Sequence, residues 1–140
     1  MQEWKQYLPE FREKTKAFYA GEMKKAEYKG FSGFYGSYAQ RSGKASMLRL
    51  RTPAGCVSKE RLAAIAEIIR RYQVDKVHFT TCQTIQLHNL APDKVADVIE
   101  AALDAGIVTL GGGGDYPRNV MCSPLSGVEK QEYFDVRPWA

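Results

Sequence analysis

Three arginines, at positions 49, 51 and 118, stand where their side chains could serve one chemistry. Arg118 follows a run of four glycines in GGGGDYPRNVMCSP, residues 111–124. A guanidinium is a planar fork of donors that suits carboxylates and small oxyanions. Glycines leave backbone bare, so a flat, bulky ligand could lie against them. A flexible surface loop with a solvated arginine is the competing reading. A nucleotide cradle fits poorly, because a phosphate loop runs from its glycines through Lys-Ser/Thr into a helix. Here Asp115, Tyr116 and Pro117 follow, and Pro117 disfavours helical backbone at Tyr116. Cys56, Cys82 and Cys122 form no Cys-x-x-Cys pair, and His78 and His88 are the only histidines, so no metal site is read.

The other two arginines alternate with leucines in SMLRLR, which predicts a strand with Leu48 and Leu50 on one face and Arg49 and Arg51 on the other. TIQLHNL alternates in the same way, with Ile85 and Leu87 inward and Thr84, Gln86 and His88 outward. KVHFTT predicts a strand carrying Val77 and Phe79 on one face. Between these lie two helices. Ser58 caps the first, whose stripe is Leu62, Ile65, Ile69 and Tyr72. Pro92 opens the second, which carries Val95, Val98, Ile99 and Ala102 and ends at Gly106. Ile107–Leu110 and Asn119–Cys122 are candidates for a last short strand. The order is βαββαβ, an α+β, ferredoxin-like split βαβ arrangement in which two helices cover one sheet face. The open face carries Arg49, Arg51, Gln86 and His88, and a ligand or second domain should cover it.

The expected organisation is an N-terminal arm over residues 1–45, the half-domain over 46–125 and the start of a following segment over 126–140. In the arm, Pro9 to about Tyr19 reads as a short helix with Phe11, Phe18 and Tyr19 on one face. EYKGFSGFYGSYAQRSGK reads as extended, since its glycines oppose helix and its rings oppose disorder. In the tail, Asp135 and Pro138 would open a further helix. The net charge of +4 is uneven: eleven basic and five acidic residues fall in 1–51, nine and eleven in the remainder. The front segment could attract an anionic partner. No apolar run approaches a membrane span and the charged N-terminus is no signal peptide, so a cytoplasmic protein is expected.

MLRLRTPAG, HFTTCQTIQLHNL and GGGGDYPRNVMCSP occur in that order, preceded by FREKTKAFYAGEMKKAEYKGFSGFYGSYAQR. Together they resemble the N-terminal ferredoxin-like half-domain of the siroheme-dependent nitrite and sulfite reductases. The resemblance implies a fragment of an enzyme that carries siroheme and a 4Fe-4S cluster and reduces nitrite to ammonia or sulfite to sulfide with six electrons. It implies that Arg51 and Arg118 lie on the substrate side of the siroheme, with Arg49 a further candidate. It also implies that Thr81, Gln83, Gln86 and His88 run beside the macrocycle, with Asn119 in the turn of Arg118. The cluster cysteines of that family, in Cys-x5-Cys and Cys-x3-Cys spacing, are not in this sequence, so the fragment alone should be inactive. Implied partners are nitrite or sulfite, the C-terminal half of the same protein and an electron donor such as ferredoxin, with no nucleic acid and no membrane. Where the family has arginine in Thr-x-Arg-Gln, this chain has Cys82, read as a buried, inert thiol. Two rival readings are a ferredoxin-like RNA-binding domain, suggested by KGFSGFYGSY, and an interaction module without catalysis.

Overall fold

The computed structural model describes residues 2–140. A 3-10 turn over Gln2–Tyr7 leads into α1 (Leu8–Tyr19) and α2 (Lys25–Phe34), then β1 (Ser37–Ala39) and β2 (Ser46–Leu50). After a 3-10 turn at Pro53–Gly55 come α3 (Lys59–Arg71), β3 (Lys76–Phe79), β4 (Ile85–Leu90) and α4 (Val95–Asp104). The four strands form one antiparallel sheet in the order β1-β2-β4-β3. The expected α+β, ferredoxin-like architecture is what the chain adopts. Leucine alternation sets the inner face: Leu48, Leu50, Ile85 and Leu87 are buried with Ile65 and Ile68 of α3 and Val95, Val98, Ile99 and Ala102 of α4. The Ser58 side chain accepts from Arg61 N–H and caps α3.

The arm departs from expectation at residues 25–34, which are helical and not extended. Two glycines in a helix cost about 1 kcal/mol each, but aromatic packing outweighs this. Phe18 stacks on Tyr28 at 4.1 Å, and Phe11, fully buried, meets Phe31 at 6.1 Å and Tyr35 at 4.6 Å. Phe11, Tyr28 and Tyr35 are buried, with Phe31 packed against the core, and these rings do not form a stacking platform on the sheet. Burial pushes the phenols of Tyr28 and Tyr35 up to about 12. Ion pairs then fasten the front segment to α4, with Lys5 at 2.6 Å from Asp104 and Arg12 at 2.5 Å from Asp97. Part of the arm's positive charge is answered inside the molecule.

The last expected strand is not formed at either Ile107–Leu110 or Asn119–Cys122. Its place beside β2 is taken by β1, and Arg49 N–H donates to the Gly36 carbonyl at 2.9 Å. What remains for residue 108 is one rung, from Arg51 N–H to the Val108 carbonyl at 2.9 Å. Smaller corrections have local causes. Leu62 is 52% exposed at the edge of the α3 stripe, and Ile68 is buried in its stead. Phe79, at the end of edge strand β3, is 72% exposed, while Val77 of the same strand packs against the core. Thr84 is buried, its hydroxyl 2.7 Å from that of Thr80 where the β3–β4 hairpin closes. The expected tail helix is only a 3-10 turn, Arg137–Trp139, with Arg137 N–H donating to Asp135 at 3.0 Å.

Gly36 shows how tight the arm–sheet junction is: its φ is +75° and an added Cβ would stand 2.4 Å from the Thr109 carbonyl oxygen. Gly36→Ala should therefore cost about 2 kcal/mol or more, combining left-handed strain with overpacking. Gly30→Ala, with nothing near its Cβ in α2, should stabilise by about 0.5–1 kcal/mol. Urea midpoints of the two variants check this, and equal midpoints would remove the close-approach argument.

Candidate anion and cofactor site

The outer sheet face is built by the residues that alternate with the leucines. Arg49 on β2 pairs across from Gln86 on β4, and Gln86 pairs across from His78 on β3. One step along, His88 pairs with Lys76, and Tyr38 of β1 pairs with Met47. The glycine loop runs onto this face from the end of α4. Gly111 N–H donates to the Phe34 carbonyl at 2.6 Å, Gly112 N–H to Thr109 at 2.9 Å, and Gly114 N–H to the Tyr38 hydroxyl. An added Cβ would lie 2.3 Å from the Tyr38 hydroxyl at residue 113 and 2.9 Å from Gly114 N at residue 33. The bare backbone at residues 113 and 114 thus lies against Tyr38 and α2. Tyr116 seals the loop on Phe34 at 5.5 Å.

The loop's carbonyls face the arginines. Arg51 donates from Nη1 to Leu110 O at 3.2 Å, and Arg49 from Nη1 to Gly112 O. Both are half-buried, whereas Arg118 is exposed. Burial, and then the nearby charge of Arg118, push the Arg49 guanidinium below its ordinary value. Among the described residues, none of the three arginines has a carboxylate within ion-pair distance. Arg51 Nε is buried without a hydrogen-bond partner. Three cations so arranged can receive an acidic ligand without first breaking a salt bridge.

Gln83 and Asn119 make a different structure. Asn119 Nδ2 donates to the carbonyls of Thr52, Cys82 and Gln83 at 3.0–3.1 Å. Gln83 Nε2 donates to Cys122 O at 2.7 Å while its Oε1 accepts from Cys122 N–H at 3.2 Å. These amides clip the β3–β4 turn to residues 119–122 and so place Arg118 beside the sheet. Gln83 (φ 53°) and Ala54 (φ 56°) both hold left-handed backbone here, and Ala54 N–H donates to Val120 O at 2.9 Å. Thr81 and Cys82 form the exposed tip of the turn. The expected burial of Cys82 is therefore wrong: a hairpin tip has no core to enter. Cys122 is half-buried in a loop, not in a strand, and Cys56 is exposed. Among the described residues no group of three His, Cys, Asp or Glu is placed to hold a metal. Tyr38, Gln40 and Thr52 complete the site. Only the Gly- and aromatic-rich composition around Tyr38 hinted at any of them.

Residues 38–105 match the family model described as the nitrite/sulfite reductase ferredoxin-like half domain. They belong to that family. The chain is 34% identical over 94 residues to the sulfite reductase [NADPH] hemoprotein beta-component of Anoxybacillus flavithermus, covering 67% of this chain and 16% of that protein. It is 32% identical over 117 residues to the assimilatory ferredoxin-dependent nitrite reductase of Haloferax mediterranei, covering 75% and 20%. The structure of the Mycobacterium tuberculosis NirA protein matches with a TM-score of 0.74 at 25% identity, over 91% of this chain and 27% of that one. The chain thus spans a minor part of each relative's length.

Within the half-domain, Arg49, Gln86 and His88 share the open face, and Arg51 and Arg118 meet it through the glycine loop and the Asn119 clip. His88 is half-buried, with Nδ1 3.1 Å from Gln40 Nε2 and Nε2 3.0 Å from Gln86 Oε1. Burial lowers its imidazole below the usual 6.5, Lys76 and His78 push the same way, and Asp75 opposes them. The unfolded chain then binds the proton more readily. This contribution to stability is complete above pH ~6.5 and is lost as pH falls through the folded-state value. An NMR titration should give a His88 midpoint below 6.5 that rises in Lys76→Ala. A midpoint indifferent to that substitution would remove the electrostatic account.

Proposed function

We propose that these residues form one wall of the substrate and siroheme pocket of a nitrite or sulfite reductase, which reduces nitrite to ammonia or sulfite to sulfide with six electrons. The observation that carries this reading is the cluster of three arginines without carboxylate partners on the face that the helices leave open. The donor set fits an acidic macrocycle and an oxyanion together, and the unpartnered Arg51 Nε is a donor still to be satisfied.

Arg51 and Arg118 are assigned to the substrate anion, where fixed cations hold it and stabilise the charge that develops. Arg49, Gln86, His88 and Thr81 are assigned to the macrocycle's acidic rim, and Gln83 and Asn119 to the turn that presents them. Siroheme, when bound, supplies the iron at which the oxyanion is reduced. A 4Fe-4S cluster does not fit this chain, because four thiolates are needed and the sequence has three cysteines. Its ligands belong to the rest of the intact enzyme. Residues 46–125 are assigned as the half-domain, 1–45 as the arm that completes it and 126–140 as the start of the next segment. An electron donor such as ferredoxin and a cytoplasmic setting complete the reading. No helix among the described residues is long and apolar enough to cross a membrane.

In the intact enzyme, Arg51→Ala or Arg118→Ala should lower turnover on the order of 10²-fold, as loss of one charge-stabilising donor does. Thermal unfolding should change little in Arg118→Ala, whose side chain is exposed, and modestly in Arg51→Ala, which loses its bond to the Leu110 carbonyl. The visible spectrum of each variant shows whether siroheme is still loaded. Wild-type turnover in both loaded variants would overturn the assignment.

A further inference from the structure

The polarity of the open-face hydrogen bonds can be traced from a single backbone amide. Asn89 N–H can only donate, and it lies 3.2 Å from Gln40 Oε1. Gln40 is thereby oriented, and its Nε2, 3.1 Å from His88 Nδ1, is a donor. Nδ1 must accept and carries no proton, so the neutral imidazole holds its hydrogen on Nε2. That nitrogen lies 3.0 Å from Gln86 Oε1 and donates to it. Gln86 is left with its acceptor occupied and with two Nε2 hydrogens that have no partner among the described residues. Its place in the register is directly across from Arg49.

We propose that Gln40 is a positioning residue: it fixes the His88 tautomer and, through it, holds Gln86 with its amide donors free beside Arg49, adding a neutral donor pair to the arginine site. The part played by Gln86 rests on reading that site as anion-binding; the part played by Gln40 does not. The alternatives each break a contact. A flipped Gln40 would set its amide hydrogens against the Asn89 N–H. A proton on His88 Nδ1 would face the hydrogens of Gln40 Nε2. Gln40 itself sits in the β1–β2 connection, a segment that supplies none of the three arginines.

Nitrogen-15 NMR of the full chain tests this. Wild type should show His88 protonated on Nε2, a measurement that no folding defect of a variant can confound. In Gln40→Glu the carboxylate still accepts from Asn89 N–H but has no donor for Nδ1. The ring should then gain a proton on Nδ1, either as the other tautomer or as the imidazolium. On titration with sodium citrate, a tricarboxylate standing in for the macrocycle's acidic rim, the Gln86 side-chain amide should shift together with Arg49 Nε–H in wild type. Where Gln40→Glu gives the Nδ1–H tautomer the Gln86 response should be lost, and where it gives the imidazolium, whose Nε2–H still donates to Gln86 Oε1, the response should persist. A wild-type His88 protonated on Nδ1, or a ring unchanged by Gln40→Glu, would overturn the role of Gln40. A silent Gln86 beside a responding Arg49 would overturn the donor pair and leave the anion site standing. Silence at both would overturn the anion site itself, and the role of Gln86 with it.

Discussion

Everything on the open face depends on how two arginines are held. A guanidinium drawn partly out of water must have hydrogen-bond acceptors, and a carboxylate would supply them while cancelling its charge. Arg49 and Arg51 are held by main-chain carbonyls of residues 112 and 110. Hydrogen bonds to a charged group are worth about 1.5–3 kcal/mol each, enough to offset partial desolvation. The carbonyls bring no net charge, so the positive potential stays available for an incoming anion. The mutual repulsion of Arg49 and Arg118 is the corollary, and on the proposed reading a ligand of opposite sign relieves it.

That arrangement requires the loop to lie one hydrogen bond away from the sheet, and side chains at residues 36, 112 and 113 would prevent it. The support under the loop comes from the arm. Gly33 of α2 meets Gly114, Tyr38 of β1 meets Gly113, and Phe34 receives both Gly111 N–H and the ring of Tyr116. The arm is in turn built into the core through Leu8, Phe11 and Tyr35. Residues that precede the first strand of the split βαβ unit therefore shape the site as directly as the strands do.

Periodicity made the sheet legible. The alternation in SMLRLR and TIQLHNL identified both central strands, their inner faces and the outward arginines, because a period of two leaves no other arrangement once one face is buried. What failed depended on partners distant in sequence. Gly33 of α2 reads as a helix breaker because its packing mate, Gly114, lies some eighty positions on. The edge of β2 could have been paired by residues 107–110, and nothing local announced that β1 would occupy it. At the site, glutamine and asparagine beside an arginine read equally well as ligand contacts or as clips on backbone. Only the turn geometry, with Gln83 and Asn119 bridging to residues 122 and 52, separates the two.

Cys82 brings these points together. Where the family resemblance calls for arginine, this chain places a small neutral thiol on an exposed hairpin tip. Another guanidinium there would crowd positive charge around Arg49, which burial and Arg118 already disfavour. With a thiol there, the arginines of the proposed wall number three, and on that proposal an acidic ligand bearing several carboxylates must find its remaining donors among neutral groups. Uncharged N–H donors add no repulsion, and they are useful only if their direction is fixed beforehand. A backbone amide at one end of a hydrogen-bonded chain supplies such direction without charge. On that proposal the arm connection, the histidine and the glutamine are parts of one electrostatic solution, in which orientation replaces the missing cation.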